Sequence, residues 1–199
     1  MRAILLLILL ASIGCQSSVI VRGPNQNVDE IMIEIDYTTD APPSQALLNA
    51  IKGHIENICS PGMVVTFIVD DHLDGHGTWT DYDCREFTVL HKSNLGTFYM
   101  IFAGGQHDES NLIGGVSWDK RNFAVFPDVT GLGGGAQIAA VHEWLHSLGL
   151  VGDWLKMQTP HRVDPGHHCA SSPCIMSIYG TSTIPCPLCI ADLEAGEEQ

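Results

Sequence analysis

Residues 139–153 read AAVHEWLHSLGLVGD. His142 and His146 stand four apart, so on a helix both imidazoles leave one face about one turn apart and can share a metal ion. Glu143 sits beside them. Zinc held by neutral imidazoles acts as a Lewis acid and lowers the pKa of a bound water to about 7, and an adjacent carboxylate can take that water's proton. The residue types therefore point to metal-assisted hydrolysis. Gly149 lies seven residues after His142, where a helix that stops and turns back needs a residue tolerant of positive φ. A catalytic zinc also needs a third protein ligand. His161, His167, His168 and Asp153 compete for that role.

Downstream, Cys169, Cys174, Cys186 and Cys189 stand as C-x4-C and C-x2-C, a pattern that reads as a four-cysteine structural zinc site. An oxidising compartment would instead favour disulfides within the same four. Zinc is preferred, because two disulfides crossing so short a segment must satisfy tight Cα separations twice. Cys59 and Cys84 form a further pair, plausible as a disulfide. The run GLGGGA at 131–136 fits the dinucleotide fingerprint G-x-G-x-x-A, but the helix it opens already carries the metal signature. It reads as a turn ahead of the active helix. His72, Asp74 and His76 in DDHLDGH read as a solvated loop rather than a second metal site.

H-E-x-x-H-x-x-G followed by a downstream methionine resembles the metzincin clan of zinc endopeptidases. HCASSPCIM, from His168 to Met176, has the order H-C-x4-C-x-M that marks archaemetzincins, and Cys186-Pro-Leu-Cys189 is similar to their closing C-x-x-C. The layout of the resemblance spans residues 29–193, and its motifs span 135–189. The sequence departs from the family by an insertion, since residues 150–167 separate Gly149 from His168. Leishmanolysin-like metzincins also insert there. The resemblance implies His168 as the displaced third ligand, Met176 as the floor under the metal, Tyr179 as an oxyanion stabiliser and a second, structural zinc on the four cysteines. Asp153 resembles the aspartate ligand of snapalysins, one residue late. IGGVSW (113–118) is similar to the edge strand along which metzincins bind extended peptides.

The elements that must position these residues follow from periodicity. Ile31, Ile33, Ile35 and Tyr37 alternate with Met32, Glu34 and Asp36 as in a half-buried strand. Leu47, Leu48, Ile51, Ile55 and Ile58 recur at helical spacing before Pro61-Gly62. MVVTFIV (63–69), EFTVL (86–90) and TFYMIF (97–102) have strand composition, with a polar loop between the first two. IGGVSW and NFAVF (122–126) suggest a hairpin, and an amphipathic helix ends at Gly149. The expected fold is α+β, a metzincin-like mixed twisted sheet backed by two helices, with a loop-rich C-terminal subdomain.

The chain has 199 residues, 45% of them hydrophobic, enough for one sizeable core. Residues 1–14 have the layout of an export signal. The stretch ASIGC resembles the lipobox of bacterial lipoproteins, which implies acylation of Cys15, with residues 15–28 as anchor and tether, 29–193 as the catalytic domain and 194–199 as a tail. Without acylation the protein would be secreted. The net charge of −14 argues against nucleic acid as a partner. The expected function is a zinc endopeptidase acting on extracytoplasmic peptides or proteins, held to a membrane through its lipid anchor. A non-catalytic zinc-stabilised binding module is the alternative.

Overall fold

The computed structural model describes residues 30–59, 62–75, 77–94, 96–129, 135–151, 161–163, 168–178 and 182–196. The expected signal, Cys15 and its tether therefore lie outside the described residues.

The main sheet is built from β1 (Glu30–Thr38), β2 (Val64–Leu73), β4 (Phe98–Phe102), β6 (Gly115–Ser117) and β7 (Asn122–Val125), in the order β2-β1-β4-β7-β6. The first four strands of that order run parallel, and β6 is antiparallel to β7 at one edge. The expected hairpin is thus present. Short strands β3 (Gly77–Trp79) and β5 (Gly105–His107) pair separately.

Alternation along β4 explains the layering. Phe98, Met100 and Phe102 face one side of the sheet, where they join Ile31, Ile33 and Ile35 of β1. Helix α1 (Gln45–Ile58) buries Leu48, Ile51, Ile55 and Ile58 there, and α3 (Gly135–Ser147) packs alongside it. Trp144 of α3 meets Phe98 edge-on at 6.4 Å between ring centroids, which fixes the helix that carries His142 against the centre of the sheet. Tyr99 and Ile101 face the other side, with Trp79, Ala124 and Phe126.

That second face carries a correction. The segment 86–90 is not a strand but the end of helix α2 (Asp81–His91), whose Cys84 and Phe87 cover the second cluster. Thr80 and Asp83 form a reciprocal capping box: Thr80 Oγ1 accepts from Asp83 N at 3.1 Å, and an Asp83 carboxylate oxygen accepts from Thr80 N at 2.8 Å. This start signal outweighs the β-branched composition of Thr88 and Val89. The region expected as a polar loop likewise holds the end of β2, with His72 exposed, and all of β3. His76 lies outside the described residues.

After α3 the chain is loop-rich, as expected, with the two-residue strands β8 (Arg162–Val163) and β9 (His168–Cys169) paired antiparallel. It also contains an unexpected helix, α4 (Pro187–Gly196), which adds Cys189 and Leu193 to the first cluster.

Candidate metal centres

α3 projects His142 and His146 from one face, with 3.0 Å between their Nε2 atoms. Each ring is turned by its other nitrogen. His142 Nδ1 donates to the Ile175 carbonyl at 2.7 Å, and His146 Nδ1 donates to the Leu150 carbonyl at 3.1 Å. The second contact depends on the turn at Gly149, which has φ 95°, the conformation expected of it. With both Nδ1 protons committed, the two Nε2 atoms present lone pairs to the same point, a repulsive arrangement that a cation between them relieves. Zinc–nitrogen bonds of about 2.0–2.1 Å give a tetrahedral edge of about 3.3–3.4 Å, so the spacing suits one shared ion.

β9 brings a third imidazole to the pair. The His168 ring centroid lies 5.3 Å from that of His142 and 5.7 Å from that of His146. One ring nitrogen from each of the three lies within 4.8 Å of the others. Burial pushes His142 down to about 4, opposed by its bond to the Ile175 carbonyl and reinforced by His168, so the imidazole is neutral and able to ligate at neutral pH. Burial alone raises Glu143 to about 8.

Glu143 is buried, 7% exposed, and its neighbour is a residue that sequence reasoning missed. A Cβ on Gly115 would stand 2.5 Å from Glu143 Cγ and 2.8 Å from the Ala124 carbonyl oxygen. The edge strand β6 can therefore lie against α3 only because residue 115 has no side chain. The GG pair was visible in the sequence, but its contact with α3 was not.

The second cluster comprises Cys169, Cys174, Cys186 and Cys189, all buried, with their sulfurs within 4.8 Å of one another. All four are thiols rather than disulfides. Cys169–Cys186 and Cys174–Cys189 sulfurs are each 3.7 Å apart, close to the edge of about 3.8 Å that four zinc–sulfur bonds of about 2.3 Å produce. The donor set fits zinc. The hydrogen bond from Cys189 pushes Cys174 down to about 5, and the same bond pushes Cys189 up.

His161 stands at this second cluster, with Nε2 3.3 Å from Cys189 Sγ, and not with His142 and His146. Met176 is fully buried, and its carbonyl accepts from Cys169 N at 2.8 Å. Asp153, His167 and Tyr179 lie outside the described residues. The expected Cys59–Cys84 disulfide is not formed. Cys59 packs in the apolar layer under α1 and α3 and Cys84 in the apolar layer under α2, on opposite faces of the sheet, and both are free. Burial first, then nearby carboxylates, push each thiol up to about 12, which leaves them protonated and inert.

No protein-family profile matches the sequence, and no curated protein does. Among solved structures, the chain is similar to the crystal structure of archaemetzincin from Methanopyrus kandleri, with a TM-score of 0.59 and 13% identity, covering 87% of this chain and 98% of that one. The fold is archaemetzincin-like, a twisted mixed sheet with four helices among the described residues, and it carries a three-histidine group and a four-cysteine group able to hold metal ions.

Proposed function

We propose that this chain is a zinc-dependent endopeptidase of metzincin type, with His142, His146 and His168 as ligands of the catalytic ion and the four cysteines as ligands of a structural one. The observation that carries the reading is a buried glutamate, Glu143, next in sequence to one of two converging imidazoles and packed against an edge strand. A purely structural site has no use for a carboxylate at that place. Zinc, when bound, would supply Lewis acidity that lowers the pKa of a water and polarises a peptide carbonyl.

The chain's own residues would do the rest. The outer edge of β6 has no strand partner among the described residues, so an extended peptide can add to it by main-chain hydrogen bonds, with its carbonyl near the imidazoles. Burial keeps Glu143 protonated up to about pH 8 while the imidazoles hold no cation. With a cation held there its ionised form would be favoured, and would then take the proton of the attacking water and pass it to the leaving amine. Its burial excludes competing solvent from that carboxylate. Met176, which is fully buried, is the floor residue in this reading, and Tyr179 is the candidate oxyanion donor. Export and a lipid anchor at Cys15 complete the proposal, on the sequence of residues 1–15 alone. Substrates are then extracytoplasmic peptides or proteins. No helix among the described residues is long and apolar enough to cross a membrane.

The test is zinc analysis with a casein-type cleavage assay on protein beginning after Cys15. Cleavage should vanish on chelation. Glu143→Ala should keep its zinc while cleavage drops by at least about 10²–10⁴-fold, the contribution of a general base. Undiminished cleavage by that variant would overturn the mechanism, and zinc without any cleavage would leave a zinc-stabilised binding module.

A further inference from the structure

His168 and Cys169 are neighbours in one strand, so their side chains leave opposite faces: the imidazole turns to His142 and His146, and the sulfur turns to Cys186. A two-residue strand has little stability of its own. What holds β9 in place is therefore the set of attachments around it. Cys169 N donates to the Met176 carbonyl at 2.8 Å, and β8 pairs alongside, with Arg162 opposite Cys169 and Val163 opposite His168. The residue just before β8 is His161, whose own carbonyl accepts from Ala170 N at 2.7 Å.

The His161 ring is 5% exposed, and its Nε2 lies 3.3 Å from Cys189 Sγ and 3.6 Å from a carboxylate oxygen of the fully buried Asp192. A metal-bound thiolate accepts hydrogen bonds and donates none, so with the cysteine centre loaded this nitrogen carries the proton. Four thiolates on a dication leave a net charge of −2 in a buried place, which N–H donors stabilise. Backbone N–H groups reach two of the sulfurs, Ser171 N to Cys169 and Cys186 N to Cys174, each at 3.3 Å. Cys189 receives its donor from a side chain instead. That side chain belongs to the residue that leads into the strand lying next to His168.

We infer that His161 is a positioning residue for the three-histidine site: by donating to Cys189 it fastens the β8–β9 hairpin to the cysteine centre and so holds His168 in reach of His142 and His146. The two metal sites are coupled through this hairpin. The inference rests on the zinc reading of both clusters, and it assigns to His161 a role other than that of third ligand.

Cobalt binding to the protein beginning after Cys15 separates the sites, because thiolate-to-cobalt charge-transfer absorption reports the cysteine centre alone and the weaker bands of nitrogen-ligated cobalt report the imidazoles. His161→Ala should keep the thiolate band while affinity at the imidazole site falls about 10–100-fold, as for loss of an outer-shell partner. His161→Gln, whose amide N–H can still reach Cys189, should recover most of that loss. Unchanged imidazole-site affinity in His161→Ala overturns the assignment. So does a loss that glutamine fails to restore, or one that comes with loss of the thiolate band. Wild-type protein that takes cobalt at the cysteines but none at the imidazoles defeats the catalytic-zinc reading itself, a failure seen before any variant is made.

Discussion

His142, His146 and His168 are each partly exposed, and the acid next in sequence to His142 is buried against the edge strand β6, whereas Cys169, Cys174, Cys186 and Cys189 are all buried and bring four sulfurs together. Both groups of side chains converge closely enough to hold an ion, and they meet at adjacent residues, 168 and 169. The difference between them is coordination left open against coordination closed. Three ligands leave a tetrahedral ion one position for water or substrate, and four leave none. In the proposed reading the imidazole cluster exchanges ligands with its surroundings, and the thiol cluster joins α4 to the β8–β9 pair.

The largest way to break this contrast is at the closed site. Cys174→Ser should remove one ion per chain and destabilise the protein by more than about 4 kcal/mol, in the range that loss of a metal site produces. Denaturant unfolding with metal counting measures both. If stability is unchanged, the thiols are not a strut.

At the open site the expected loss is of binding rather than of fold. His168→Ala should lower zinc affinity at the imidazoles on the order of a thousandfold, beyond the 10–100-fold of outer-shell changes, with the unfolding midpoint held by the cysteine centre. Chelator competition distinguishes this from the smaller effect expected of His161→Ala. An equal effect of the two would erase the distinction between ligand and positioning residue.

A smaller effect concerns the contact of β6 with α3. Gly115→Ala places a methyl 2.5 Å from Glu143 Cγ, so strand or carboxylate must shift. Overpacking of this kind costs about 1–3 kcal/mol. Peptide cleavage should fall about tenfold or more through kcat, with zinc content unaltered. A change in KM alone would mean that the glycine serves peptide docking and not the acid.

The smallest effect is one of pH, and it belongs to the open site only. With the cysteine centre loaded and the imidazoles metal-free, His142 titrates at about 4 instead of 6.5, and Glu143 at about 8 instead of 4.5. Between pH 4.5 and 6.5 the unfolded chain binds the His142 proton that the folded form lacks, and the folded form binds the Glu143 proton that the unfolded chain has lost. The two slopes cancel. Above pH 6.5 only the Glu143 term remains, with the folded form binding more protons, so stability should decline as pH rises towards 8. Urea midpoints across pH 5 to 8 measure it, and a midpoint that rises over the upper half of that range contradicts the buried environment of Glu143.

Local pattern determined much of this protein. The four-residue spacing of His142 and His146 requires a shared face once a helix forms, and Gly149 marks where that helix turns. Alternation located β1, although the strand is not half-buried as expected, since Glu34 and Asp36 on its polar face are buried as well. Helical spacing located α1, whose Leu48, Ile51, Ile55 and Ile58 are the buried residues, and a hairpin joins 113–118 to 122–126. Where composition and a local stop–start signal disagreed, composition misled: the β-branched residues near 88 sit in a helix nucleated by Thr80 and Asp83. Other matters could be decided only by the tertiary structure, because they join residues that no short pattern relates. The nearness of His168 to the helix 22 residues earlier, the place of His161 at Cys189, and the separation of Cys59 from Cys84 by a whole sheet are of this kind. So is the need for glycine at 115, which depends on a carboxylate 28 residues away in the chain. Sequence specifies which side chains can do chemistry, but their distances are set by how sheet and helices pack, and ligation, pairing and steric contact all depend on distance.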